Sequence, residues 1–115
     1  RDPEVTMDKA LQINFRNLEH SDAIEASVRK YADKLAQLNG EVTSCRVTIE
    51  SPHKRHYKGK IYHVVVDVKV PGKELVVSRT PDDEHAHEDV YVAIRDAFNA
   101  AHRRIQQYTK TRRGR

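Results

Sequence analysis

The residues able to do chemistry gather in three short stretches of this 115-residue chain. Lys54, Arg55, Lys58 and Lys60 fall within eight positions, interleaved with His53, His56 and Tyr57 and with no acid among them. From Ala101 onward come Arg103, Arg104, Lys110, Arg112, Arg113 and Arg115, again with no acid. Asp82, Asp83, Glu84, Glu88 and Asp89 form the opposite case, a run without lysine or arginine. The chemistry open to the two basic stretches is phosphate binding. A guanidinium presents a planar fork that matches phosphate oxygens and keeps its charge. Tyr57 adds a ring on which a base or sugar can stack. The plainer alternative is two solvated surfaces. The formal net charge is only +4, with a pI near 9.3, so it is the clustering that points to a polyanion. Each neutralised phosphate would then add about 0.7 to 0.9 to the salt dependence of binding.

Bond-making chemistry has no comparable support. Glycine-rich phosphate loops, nucleophile elbows and zinc-protease helix motifs are absent. Cys45, the single cysteine, cannot form an internal disulfide, and it occupies an apolar-facing strand position that suits a small core residue. The acids of Asp82–Asp89 precede a helix, where negative charge complements the dipole. His53 with His56, and His85 with His87, could ligate zinc or nickel, but neither pair follows a known ligand spacing. The expectation is no enzyme, no cofactor and no metal. No window offers the roughly 18 apolar residues of a membrane span, and the acidic, polar N-terminus does not resemble a signal peptide. A cytoplasmic protein with no membrane partner and no small-molecule substrate is expected.

The elements that would position these groups follow from periodicity. Leu11, Ile13 and Phe15 alternate with polar neighbours, a half-buried strand. Ser21 or Asp22 can cap the helix that follows, Asp22 and Glu25 having capping-box spacing. Ile24, Val28, Tyr31, Leu35 and Leu38 make that helix's apolar stripe, and Gly40 offers a left-handed turn after it. Cys45, Val47 and Ile49 alternate as a second strand. Tyr62, Val64, Val66, Val68 and Val70 form a third, Pro71-Gly72 a tight turn, and Leu75 to Val77 a fourth. Val90, Ile94, Ala97, Phe98, Ala101, Ile105 and Tyr108 mark a second helix. His102, Arg103, Gln106 and Gln107 fall outside its stripe and should face outward. The order β-α-β-β-β-α predicts an α+β two-layer sandwich, a four-stranded sheet with both helices on one face and the first two strands parallel. Gln12, Asn14, Arg16, Arg46, Thr48, His63, Asp67 and Lys69 would form the open sheet face. One domain is expected over residues 9–109, with residues 1–8 a disordered tail or a remnant of added sequence and residues 110–115 a basic disordered tail.

With the elements in place, the sequence resembles the ribosome-hibernation-promoting factors, also called ribosomal subunit interface proteins or ribosome-associated inhibitor A. The resemblance rests on the element order, on Val70-Pro71-Gly72-Lys73-Glu74-Leu75, and above all on Glu88-Asp89-Val90-Tyr91-Val92-Ala93-Ile94 opening the last helix; it covers about Ala10 to Thr109. It implies a fold similar to double-stranded RNA-binding domains. It also implies a non-catalytic translation inhibitor of stress or stationary phase, bound to the small ribosomal subunit and whole ribosome where messenger and transfer RNAs would lie. Arg103 matches a basic position of the family's last helix, and Tyr91 and Ile94 match packing positions. Ala100 stands where many members have lysine, and the Pro52–Gly59 loop is more basic than usual, so RNA contact is expected to shift from helix to loop. The expected RNA-binding set is Lys54, Arg55, Tyr57, Lys58, Lys60, Arg79, Arg103, Arg104, Lys110, Arg112 and Arg113, with Arg16, Arg46 and Lys69 in second rank. A general double-stranded RNA-binding module is the alternative, followed by a protein-docking role for the acidic loop. Both a short form and the N-terminal domain of a longer protein fit the resemblance.

Overall fold

A computed structural model describes residues 10–51, 62–79 and 89–113. The order is β1 (Leu11–Arg16), α1 (Asp22–Leu38), β2 (Ser44–Glu50), β3 (His63–Val70), β4 (Lys73–Arg79) and α2 (Val90–Arg113). The strands make one sheet in the order β1-β2-β3-β4. β1 pairs parallel to β2, Leu11 beside Cys45 and Phe15 beside Ile49, because a helix intervenes between them. β2–β3 and β3–β4 are antiparallel, with Val47 opposite Val66 and Val66 opposite Val77. The expected α+β sandwich is the one observed.

Alternation decides which face is covered. Cys45, Val47, Ile49, Val64, Val66, Val68, Leu75 and Val77 are buried beneath the helices, while the residues between them point to the open face. Val28 from α1 and Ile94 and Ile105 from α2 close the core with no exposure. Each such side chain contributes about 1.5–3 kcal/mol when fully removed from water. Helix α2 packs on β3, β4 and α1. No described helix is long and apolar enough to cross a membrane.

The helix ends are set by side chains. Ser21, in extended conformation, caps α1 by accepting from the Ile24 N–H at 3.2 Å; this decides between Ser21 and Asp22, and Glu25 is drawn to His20 and Arg29 instead of forming a capping box. At the other end Asn39, and not a left-handed Gly40, finishes the helix. Its backbone N–H and its side-chain amide both donate to the Leu35 carbonyl, at 3.0 and 2.9 Å, and Gly72 is the one glycine with positive φ among the described residues. Asp89 caps α2, accepting from the Tyr91 N–H at 2.8 Å. The acid nearest that helix thus acts as expected, whereas Asp82, Asp83, Glu84 and Glu88 lie outside the described residues.

The β3–β4 hairpin turns on Pro71 and Gly72, whose φ of 82° is what the third position of a type II turn requires. Tyr108 of α2 donates its hydroxyl to the Pro71 carbonyl at 3.1 Å, tying the hairpin tip to the helix layer.

Two expectations change here. α2 does not end near Tyr108 but runs to Arg113. Residues 109–113 hold no glycine or proline, and Thr109 bonds Glu41 through its hydroxyl, so the last turn has an anchor and nothing to break it. The α1 stripe also stops one turn early. Leu38 is 58% exposed and Ala32 is buried in the core.

Candidate nucleic-acid interface

Helix α2 places Arg103, Gln106, Gln107 and Lys110 on one exposed side, around a shallow depression of about 270 Å³. Steps of three and four stack these side chains over successive turns, while Ala101 and Ile105 bury the opposite stripe. No acid follows Asp96 in the sequence, and the depression is lined by two cations and two glutamines. That arrangement can hold phosphates, with glutamine amides available for sugar or base edges.

The adjacent arginine behaves differently. Arg104 turns toward the sheet and donates to the Val76 carbonyl of β4 at 3.3 Å. Arg79, at the end of β4, lies 3.6 Å from Asp96, and Asp96 also accepts from Arg95 at 3.1 Å. Arg79 and Arg104 thus line the β4–α2 seam, and the expected cationic set divides into Arg103 and Lys110 on the outward ridge and two seam residues beside it. Arg112 and Arg113 belong to the last turn of α2. Lys54, Arg55, Tyr57, Lys58 and Lys60 lie outside the described residues, as do His53, His56, His85 and His87 and the tail at residues 1–8.

Further groups on the helix layer were passed over in the sequence. Lys30 and Lys34 of α1 flank Tyr31, with the Lys30 Nζ 5.8 Å over its ring. Glu25 and Asp33 interrupt the basic charge along α1, so no acid-free run marks these lysines. His102, expected to face outward, is half-buried and accepts at Nδ1 from the Asn39 amide at 3.0 Å. Tyr91, expected to pack, is 41% exposed, whereas Ile94 is fully buried.

The open sheet face also carries cations, but compensated ones. Arg46 donates to the side-chain Oε1 of Gln12 at 3.1 Å. Asp67, between β2 and β4, stands near Glu74, and burial followed by Glu74 pushes its carboxyl above the usual range against the pull of Arg46 and Lys69. Its Oδ1 is buried without a hydrogen-bond partner. Behind this face Cys45 is 2% exposed, and burial, aided by the Asp67 charge, raises its thiol to about 12. A thiol protonated at neutral pH is no nucleophile.

His20, Asp22 and Glu25 form the only described cluster with metal-ligand spacing. The two imidazole nitrogens face different carboxylates, Nε2 at 2.6 Å from Glu25 and Nδ1 at 3.5 Å from Asp22. Arg29 also grips Glu25 at 2.9 Å. His20 and then Arg29 hold the Glu25 carboxyl below its ordinary value. The cluster is a polar staple at the start of α1.

The family described as sigma 54 modulation protein / S30EA ribosomal protein matches residues 11–113. The chain belongs to that family. Its fold is shared with the N-terminal domain of Thermus thermophilus Protein Y, at TM-score 0.66 and 22% identity over 84% of this chain and 94% of that one. A ribosomal subunit interface protein from Coxiella burnetii is similar at TM-score 0.66 and 16% identity, over 87% and 97%. No curated protein sequence matches the chain. The S30EA member described here therefore carries the family its sequence resembles, on a sheet and helix pair common to these domains.

Proposed function

We propose that the chain is a non-catalytic translation inhibitor of the hibernation type, which binds the small ribosomal subunit through ribosomal RNA and fills the channel used by messenger and transfer RNA. The observation that carries the reading is the acid-free ridge Arg103–Gln106–Gln107–Lys110 on α2 in a member of the S30EA family. The action is steric. A rigid domain need only sit where substrates would pass, so the binding surface requires charge and shape and no reactive group. Arg112 and Arg113, in the last turn of α2, add to its positive charge. Lys54, Arg55, Tyr57, Lys58 and Lys60 supply a second grip, and Arg79 and Arg104 brace the seam beside the first. Partners are the small subunit and the whole ribosome in the cytoplasm, with synthesis expected in stress or stationary phase.

Co-sedimentation with small subunits, large subunits and whole ribosomes, at low and moderate salt and beside a free RNA duplex, tests this. Retention on small subunits and whole ribosomes, lost as salt rises, is expected. Equal retention on the duplex would replace the reading with a general double-stranded RNA-binding module, and no retention at low salt would end both.

A further inference from the structure

The helix layer has a second feature that phosphate binding leaves unused. Between α1 and α2 lies a pocket of about 180 Å³, floored by Leu35 and Phe98 and edged by Tyr31, Leu38, Asn99 and His102. Tyr31 stacks on Phe98, ring centroids 5.9 Å apart and planes 19° apart, which gives the pocket an aromatic wall. A lone exposed leucine is ordinary on a protein surface. Leu38, however, stands at the rim of a cavity whose polar edge groups have spare hydrogen-bonding capacity. Because Asn39 donates to the His102 Nδ1, the neutral ring carries its proton on Nε2. That N–H and the exposed Asn99 amide have no partner among the described residues.

We infer that this α1–α2 pocket receives a single unpaired RNA base, held edge-on by Asn99 and His102 and flanked by the lysines of α1. The inference rests on the RNA-binding reading and names the part of the RNA that the helix layer would take. The lining covers two turns of α1, from Tyr31 to Leu38, and one of α2, from Phe98 to His102, a local site rather than a groove along the helix pair. Charge favours a nucleotide. No lining residue is acidic, Lys34 lies on the rim with Lys30 beside Tyr31, and Arg103 follows His102 on α2. A base in the pocket would leave its phosphates between these cations. Chemistry favours a base over an aliphatic side chain, since amide and imidazole N–H groups match the acceptors on a base edge, and leaving them unpaired would cost affinity.

The test combines Leu38→Ser with Asn99→Ala, both at exposed positions outside the core. The double variant should bind small subunits about tenfold more weakly than the parent, the scale of one lost base contact. The slope of affinity against salt should stay the same, because no phosphate contact is removed. In parallel, AMP and UMP added to the parent protein should shift the amide resonances of Asn99 and His102, and ribose 5-phosphate should not. Unchanged affinity in the double variant overturns the inference. So do nucleotide shifts no larger than those from ribose 5-phosphate; if subunit affinity nonetheless falls, the pocket takes a protein side chain. A parent protein not retained on subunits defeats the ribosomal reading, and the nucleotide titration then decides the pocket by itself.

Discussion

The outward side of α2 and the open face of the sheet use the same side-chain types, arginine, lysine and glutamine, and differ in what stands beside them. On the sheet, Arg46 is held by Gln12, and Asp67 and Glu74 lie within reach of Arg46 and Lys69. Strand pairing brings acid and base from three strands into one patch, where they answer each other. On α2 the residues that line the depression with Arg103 come from one acid-free stretch of sequence. A helix face is therefore filled by local sequence and a sheet face by distant sequence. Cations that must remain available to an outside anion are easier to keep uncompensated on the helix.

The largest effect should come from reversing charge on each face in turn. Arg103→Glu with Lys110→Glu is expected to weaken small-subunit binding on the order of a hundredfold and to flatten its salt dependence, since each lost phosphate contact removes about 0.7 to 0.9 from the slope. Arg46→Glu with Lys69→Glu should cost severalfold at most in the same sedimentation assay. Equal losses on the two faces would break the contrast.

Neighbouring arginines offer a sharper version. Arg104→Ala removes a hydrogen bond to the Val76 carbonyl and should lower stability by about 0.5–1 kcal/mol in urea unfolding. Arg103→Ala should leave stability within about 0.5 kcal/mol, as for an ordinary surface substitution, and take the larger share of the binding loss. The reverse pattern would mean that the seam, and not the ridge, faces the RNA.

On the sheet face, Asp67→Asn reads compensation directly. The folded carboxyl titrates above its unfolded value, so protonation favours the folded state. That contribution is complete below the unfolded pKa and is lost as pH rises through the folded one. The amide should therefore stabilise the protein by about half a kcal/mol at pH 7, the scale of a cross-strand like-charge pair, with the gain gone below about pH 4. Thermal melts across pH would show it. A stability gain that does not change with pH would remove the titration of Asp67 from the account.

The smallest effect is an absence of reaction. With its thiol raised to about 12, Cys45 should resist a thiol reagent at pH 8 in the folded protein and react on unfolding in urea. Prompt labelling of the native chain would mean that the sheet opens far more readily than its valine-rich core implies.

Much of this molecule is legible from spacing alone. Valine at every second position from Val64 to Val70 can only be a strand with one buried face, and Val90, Ile94, Ala97, Ala101 and Ile105 can only be a helix with one buried stripe. Those periods fixed the α+β class, the shared side of the two helices and the outward place of Arg103. Local pattern failed where a residue's partner is far along the chain. Nothing near Leu38 says that α1 overhangs the core, nothing near His102 names Asn39, and nothing near Arg104 names a carbonyl on β4. The residues after Thr109 looked like a tail because the partner that anchors Thr109, Glu41, belongs to the turn after α1. Periodicity is a property of neighbours along the chain, and it settles which face of an element is buried. Which of two exposed arginines stays available to an anion, and whether two helices leave a pocket between them, depends on how those faces meet, so only the tertiary structure decided it.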